Sequence, residues 1–142
     1  MWRAIELAEL CPPAAGAYSV GAVIVGSDGR ELASGYSRER DPKAHAEEGA
    51  LAKLAPGDPR LVSATLYSTL EPCSRRATAG RAPCADRIVR AGIPRVVIAW
   101  REPALFVADC VGVESLREHG VEVVELPDLA AAAMAMNRHL DL

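Results

Sequence analysis

At 142 residues, half of them apolar and a quarter charged, the chain suits one domain with a real core, and disordered, collagen-like and coiled-coil classes are excluded. A net charge of −3 argues against a partner held by bulk phosphate attraction. No apolar run approaches the roughly 20 residues of a membrane span.

In chain order, Met1 to Leu10 carries apolar residues at helical spacing and stops at Cys11-Pro12-Pro13, which cannot continue a helix. Val20 to Val25 is a β-branched run closed by Gly26-Ser27-Asp28-Gly29, so a strand and hairpin turn are expected, with Glu31 to Tyr36 as the returning strand. After Asp41-Pro42, Ala44 to Leu54 reads as a helix ended by Pro56-Gly57. Ala64 to Ser68 is a strand, Cys84 to Ala91 a helix closed by Gly92, and Arg95 to Trp100 a strand. Val113 to Glu118 is helical, Val121 to Leu126 a strand, and Asp128 to Leu140 a final alanine-rich helix. Strands alternating with helices after the first hairpin predict an α/β fold: a mixed five-stranded sheet covered on both faces, a three-layer α-β-α sandwich. No repeat or linker interrupts it, so residues 1–142 are expected to form a single domain.

Met1-Trp2-Arg3-Ala4-Ile5-Glu6 lacks the basic-then-apolar order of a signal peptide, so a cytoplasmic location is expected. In a reducing compartment, cysteines in polar surroundings are more often metal ligands or catalytic than disulfide-bonded. His45-Ala46-Glu47 is followed 26 positions after Glu47 by Pro72-Cys73, and then by Cys84. One histidine and two cysteines make a nitrogen/sulfur set suited to one Zn²⁺ per chain, with a fourth tetrahedral position left for water. Cys84 and His45 each sit at an expected helix start, where negative charge is favoured. Zn²⁺ with two thiolates and a neutral imidazole is formally neutral and acidifies water less than an all-histidine site. A nearby carboxylate, Glu47, must then act as general base and afterwards as general acid. A purely structural zinc site would want a fourth protein ligand; Cys11, Cys110, His119 and His139 have no partner at ligand-like spacing. Cys110 reads as a small buried hydrophobe.

His45-Ala46-Glu47, Thr69-Leu70-Glu71-Pro72-Cys73-Ser74 and Cys84 together resemble the cytidine-deaminase-like zinc deaminases, with their H-x-E…P-C-x-x-C signature. The resemblance implies His45, Cys73 and Cys84 as zinc ligands, Glu47 as the proton shuttle, and the backbone N–H of Ala46 as a partner of a ring carbonyl. Ten residues separate Cys73 from Cys84, where cytidine, deoxycytidylate and tRNA-adenosine deaminases typically have two. That long loop, with Val20 to Val25 and Ala91 to Val97, resembles the pyrimidine deaminase domain of the riboflavin-biosynthesis deaminase/reductase, without the reductase. It implies hydrolytic deamination of the diamino-ribosylamino-pyrimidinone 5′-phosphate, a small-molecule substrate, in a homodimer or homotetramer. The alternative is a stand-alone deaminase of a cytosine-, guanine- or triazine-type ring; a nucleic-acid editor or a non-catalytic zinc module fits less well.

Three departures bear on the substrate. Ala17-Tyr18 stand where that family has Asn-Pro, Arg75-Arg76 replace His-His after Cys73-Ser74, and Arg101-Glu102-Pro103-Ala104 replace Asp-Pro-Asn-Pro. Arg75, Arg76 and Arg81, between two expected ligands, are candidate clamps for a phosphate or carboxylate; a solvated charged loop is the competing reading. Tyr18 and Phe106 are candidate pocket walls, or simply aromatic core.

Overall fold

The structure, a computed structural model, describes residues 1–76, 78–103 and 110–140. Its elements are α1 (Trp2–Ala8), β1 (Gly21–Val25), β2 (Glu31–Tyr36), α2 (Ala46–Ala52), β3 (Thr65–Ser68), α3 (Cys84–Ala91), β4 (Arg95–Ile98), α4 (Gly112–Glu118), β5 (Glu122–Glu125) and α5 (Ala130–Met134). The five strands form one mixed sheet in the order β2-β1-β3-β4-β5. β1 runs antiparallel to both neighbours, while β3, β4 and β5 are parallel.

Side-chain alternation along the strands sorts the core into two faces. Ile24, Leu66, Val96, Ile98 and Val123 point to one side, where Ala50 of α2, Ile88 of α3 and Val113 and Leu116 of α4 cover them. On the other side Val23 meets Ala4 and Leu7 of α1, and Ala99 meets Ile5 of α1 and Ala133 of α5. The result is the expected three-layer arrangement. Ala133 in the alanine run is buried because small side chains let α5 lie close to α1.

Two elements differ from expectation. The final helix is broken: a 3₁₀ turn (Pro127–Leu129), α5, and a second 3₁₀ stretch (Ala135–Leu140) containing Asn137 at non-helical φ −112°, ψ 15°. The cause is a long-range pair. Buried Asn137 accepts the Ser19 N–H through Oδ1 at 2.6 Å and donates from Nδ2 to the Ser19 carbonyl at 3.1 Å, which pulls the backbone off the helical path. A 3₁₀ turn over Pro59–Ser63, capped by Asp58, also precedes β3, in a stretch to which the sequence pattern assigns no element.

One close approach positions the site. A Cβ on Gly35 of β2 would come within 2.5 Å of the Ala46 carbonyl oxygen, so glycine lets the first turn of α2 lie directly on the sheet.

Candidate active site

Ligands of open α/β sheets gather beyond the carboxyl ends of the parallel strands. Here Glu71-Pro72-Cys73 follows β3, Glu102 follows β4, and the first residues of α2 and α3 meet them. His45 is the residue before α2, held extended (φ −85°, ψ 161°), with its N–H donating to Glu48 Oε1 at 3.2 Å. Its Nδ1 lies 3.5 Å from both Cys73 Sγ and Cys84 Sγ. The three ligand atoms all lie within 4.8 Å of one another. Zn–S bonds of about 2.3 Å and a Zn–N bond of about 2.0–2.1 Å at tetrahedral angles put nitrogen and sulfur about 3.5–3.6 Å apart, so these donors fit zinc.

Thiolate character is supported locally. The Cys84 N–H, at the start of α3 after Pro83, donates to Cys73 Sγ at 3.2 Å. A hydrogen bond from the Cys84 thiol holds Cys73 down to about 4, against the cost of burial and helped by His45. The same bond and complete burial push Cys84 upward.

Glu47 stands outside this ligand set, buried at 4 % exposure. Burial raises its pKa above the usual carboxylate range, partly opposed by His45 and by a hydrogen bond with Ser68. Ser68 Oγ is 2.9 Å from Glu47 Oε1 and 2.8 Å from the Leu70 carbonyl. Its single proton therefore goes to a Glu47 carboxylate, or to Leu70 when a protonated Glu47 donates to it. Both protonation states of Glu47 keep a partner.

Glu71 fixes the turn that carries Cys73: its carboxylate accepts from the Glu102 N–H at 3.0 Å and the Val113 N–H at 2.8 Å. Alongside it, a Cβ on Gly112 would fall 1.9 Å from the Pro72 carbonyl oxygen, a contact between backbones that no rotamer relieves. Gly112→Ala is expected to cost about 3 kcal/mol in urea unfolding and to loosen zinc retention. An unchanged midpoint would mean α4 is not seated on the Pro72-Cys73 turn.

A cavity of about 320 Å³ opens onto these groups, walled by Tyr18, His45, Glu47, Cys73 and Glu102. Tyr18 packs edge-on against Trp100, ring centroids 5.8 Å apart, and donates to the Pro103 carbonyl at 3.3 Å; Phe106 lies outside the described residues. Ala46 is fully buried, in the first turn of α2 where backbone N–H groups have no intrahelical acceptor. Cys110 is half-buried with Sγ 4.0 Å from Ser74 Oγ, outside the His45, Cys73 and Cys84 donor group, and burial pushes its thiol up to about 11. Glu102, which the sequence showed only as a departure from Asp-Pro-Asn-Pro, is raised to about 7 by burial and the surrounding negative groups, Cys73 among them.

The three arginines do not act together. Arg75 is exposed on the cavity wall. Arg76 touches the cavity, but its guanidinium is 2 % exposed and bound to Glu48 and to the Lys43 and Ala82 carbonyls. Arg81 is not a wall residue; it pairs with Asp41 and Glu48. The expected three-residue clamp does not assemble: the largely buried Glu48 and the partly exposed Asp41 hold the Arg76 and Arg81 guanidinium groups, so of the three only Arg75 stands exposed on the cavity wall.

Comparison with known proteins agrees with this geometry. A deaminase from Schizosaccharomyces pombe, named diaminohydroxyphosphoribosylamino-pyrimidine deaminase, is 42 % identical over 127 residues, covering 88 % of this chain and 31 % of its own length. The riboflavin biosynthesis protein RibD of Aquifex aeolicus is 43 % identical over 106 residues, 74 % of this chain and 27 % of that one. The chain thus spans under a third of these relatives. The crystal structure of a Thermotoga maritima diaminohydroxyphosphoribosylaminopyrimidine deaminase/reductase superposes with TM-score 0.74 at 37 % identity, over 96 % of this chain and 37 % of that one. The Aspergillus oryzae Rib2 deaminase shares the fold with TM-score 0.75 at 24 % identity, over 99 % and 94 %. The family profile for the cytidine and deoxycytidylate deaminase zinc-binding region matches residues 1–100, which include all three ligand-forming side chains and Glu47, and the chain belongs to that family.

Proposed function

We propose that this chain is a hydrolytic deaminase acting on the riboflavin-pathway diamino-ribosylamino-pyrimidinone 5′-phosphate. The observation that carries the reading is Glu47: a buried carboxyl that is not a ligand, beside a three-donor metal site, at the wall of a cavity edged by cations. A structural zinc site has no use for it. When bound, zinc supplies Lewis acidity that makes water a nucleophile near neutral pH.

The chain's own residues supply the rest. Glu47 takes a proton from water as its oxygen joins the ring carbon that bears the amine, and passes that proton to the adjacent ring nitrogen. It then carries the second water proton to the amine; the carbon–nitrogen bond breaks, ammonia leaves, and a ring carbonyl remains. Ser68 keeps Glu47 hydrogen-bonded in both states, and the Ala46 N–H holds a ring carbonyl. Arg75 and Lys43 meet the phosphate. The substrate assignment leans on the names of the relatives; Ala17 and Tyr18 at the cavity wall favour, as a second reading, a different aminated ring.

An ammonia-release screen separates the two readings: the phosphorylated pyrimidinone against its dephosphorylated riboside, and both against cytosine, guanine and triazines. Arg75→Ala should raise KM for the phosphorylated substrate about two- to fivefold, the worth of an exposed charged contact, and leave the riboside unaffected. Equal effects on both would remove Arg75 from the phosphate. We further assign a single-domain homodimer or homotetramer in the cytoplasm. Thiolate ligands persist in a reducing compartment, and Trp2 and Leu10 leave apolar surface on α1 and just beyond it; light scattering after gel filtration tests the assembly.

A further inference from the structure

Glu48 receives more charge than any other carboxylate among the described residues. Its Oε1 takes Arg76 Nη2 at 2.7 Å, Arg81 Nη1 at 3.4 Å and the His45 N–H at 3.2 Å, and its Oε2 takes Arg87 Nη2 at 2.8 Å. The origin of these partners matters. Arg76 and Arg81 belong to the ten-residue loop between the cysteines, Arg76 three residues after Cys73 and Arg81 three before Cys84. Arg87 is on α3, one turn beyond Cys84. Arg76 and Arg87 also both donate to the Ala82 carbonyl, at 3.3 and 3.1 Å, closing the loop onto α3. Arg81 continues to Asp41 and Arg76 to the Lys43 carbonyl, on the approach to His45.

One carboxylate therefore ties the His45 turn to both cysteine-bearing segments. At 14 % exposure beside an Arg76 side chain at 2 %, it is screened from water far more than a surface pair. A long loop between two ligands is an entropic liability, since nothing in its covalent structure fixes the two sulfurs against the imidazole. We infer that Glu48 is the positioning residue of the metal centre: through Arg76, Arg81 and Arg87 it presets His45, Cys73 and Cys84 at ligand spacing before the metal arrives. This rests on the reading of those three residues as the metal site.

The test is zinc retention against a competing chromophoric chelator, together with melting of the zinc-stripped protein. Glu48→Gln keeps an acceptor for the His45 N–H and removes the charge that gathers the arginines. It should weaken zinc about ten- to a hundredfold, the usual effect of partners behind metal ligands, and speed release. Arg76→Met should weaken zinc in the same direction but less, since Arg81 and Arg87 still reach Glu48. The double variant should be no worse than Glu48→Gln alone, because the Arg76 contact is one of those Glu48 makes. Glu39→Gln, which breaks the Lys53 pair at the other end of α2, should leave zinc affinity unchanged. Wild-type affinity in Glu48→Gln overturns the inference. So does a loss of zinc matched by an equal fall in the stability of the stripped protein, which would make Glu48 an ordinary structural ion pair. Wild-type protein that takes up no zinc overturns the metal-site reading and this inference with it.

Discussion

Glu47→Gln should retain about one zinc per chain, melt close to wild type, and lose roughly four orders of magnitude in ammonia release. Each expectation has its own cause. Zinc stays because the donor cluster consists of His45, Cys73 and Cys84, with Glu47 outside it. The fold stays because glutamine preserves volume at a buried position and its carbonyl still accepts from Ser68, 2.9 Å away in the wild type. Turnover falls because an amide neither takes nor gives a proton at neutral pH. General acid–base catalysis contributes about 10²–10⁴-fold per transfer, and here one group serves water, ring nitrogen and departing amine in turn. The loss should appear in kcat with KM little changed, since the carboxyl acts on moving protons rather than on the bound ring. A variant that keeps most of its activity would place the shuttle elsewhere. One that loses zinc in elemental analysis would make Glu47 a ligand.

The residues behind that prediction were legible in the sequence, and the reason is local. His-Ala-Glu at a helix start and Pro-Cys after a strand are short-range patterns whose geometry follows from the elements that carry them. The hairpin strands, the buried run Val96-Val97-Ile98 and the mixed sheet were legible for the same reason: alternation and β-branching report burial directly. Pairings between distant residues were not. Asn137 reads as one polar residue in a helical stretch, and nothing nearby reveals that Ser19, 118 positions away, breaks the helix around it. Spacing placed Arg75, Arg76 and Arg81 beside the pocket, yet which of them faced it depended on Glu48 and Asp41, two carboxylates that look like ordinary surface residues. Ser68 closes a strand, where a hydroxyl is unremarkable until the fold sets Glu47 against it.

Cys84→Ala should yield a chain that takes up no zinc, releases no ammonia above background, and melts like the chelator-stripped wild type. Losing one of three donors leaves Cys73 and His45, two ligands that are too few to hold the ion at a tetrahedral site. Metal at a thousandfold excess over its Kd stabilises the native state by about 4 kcal/mol, roughly 8–16 °C in Tm for a chain of this size. The comparison that decides the matter is with zinc-stripped wild type, since Cys84 is fully buried and its truncation also leaves a small void. That void costs little beside the metal, because a sulfur atom is all that is removed. Added zinc should therefore raise the Tm of the stripped wild type by the full interval and leave Cys84→Ala where it was. A variant that still binds one zinc, or that melts far below the stripped wild type, would make Cys84 a packing residue and return the third donor to Cys110 or another cysteine.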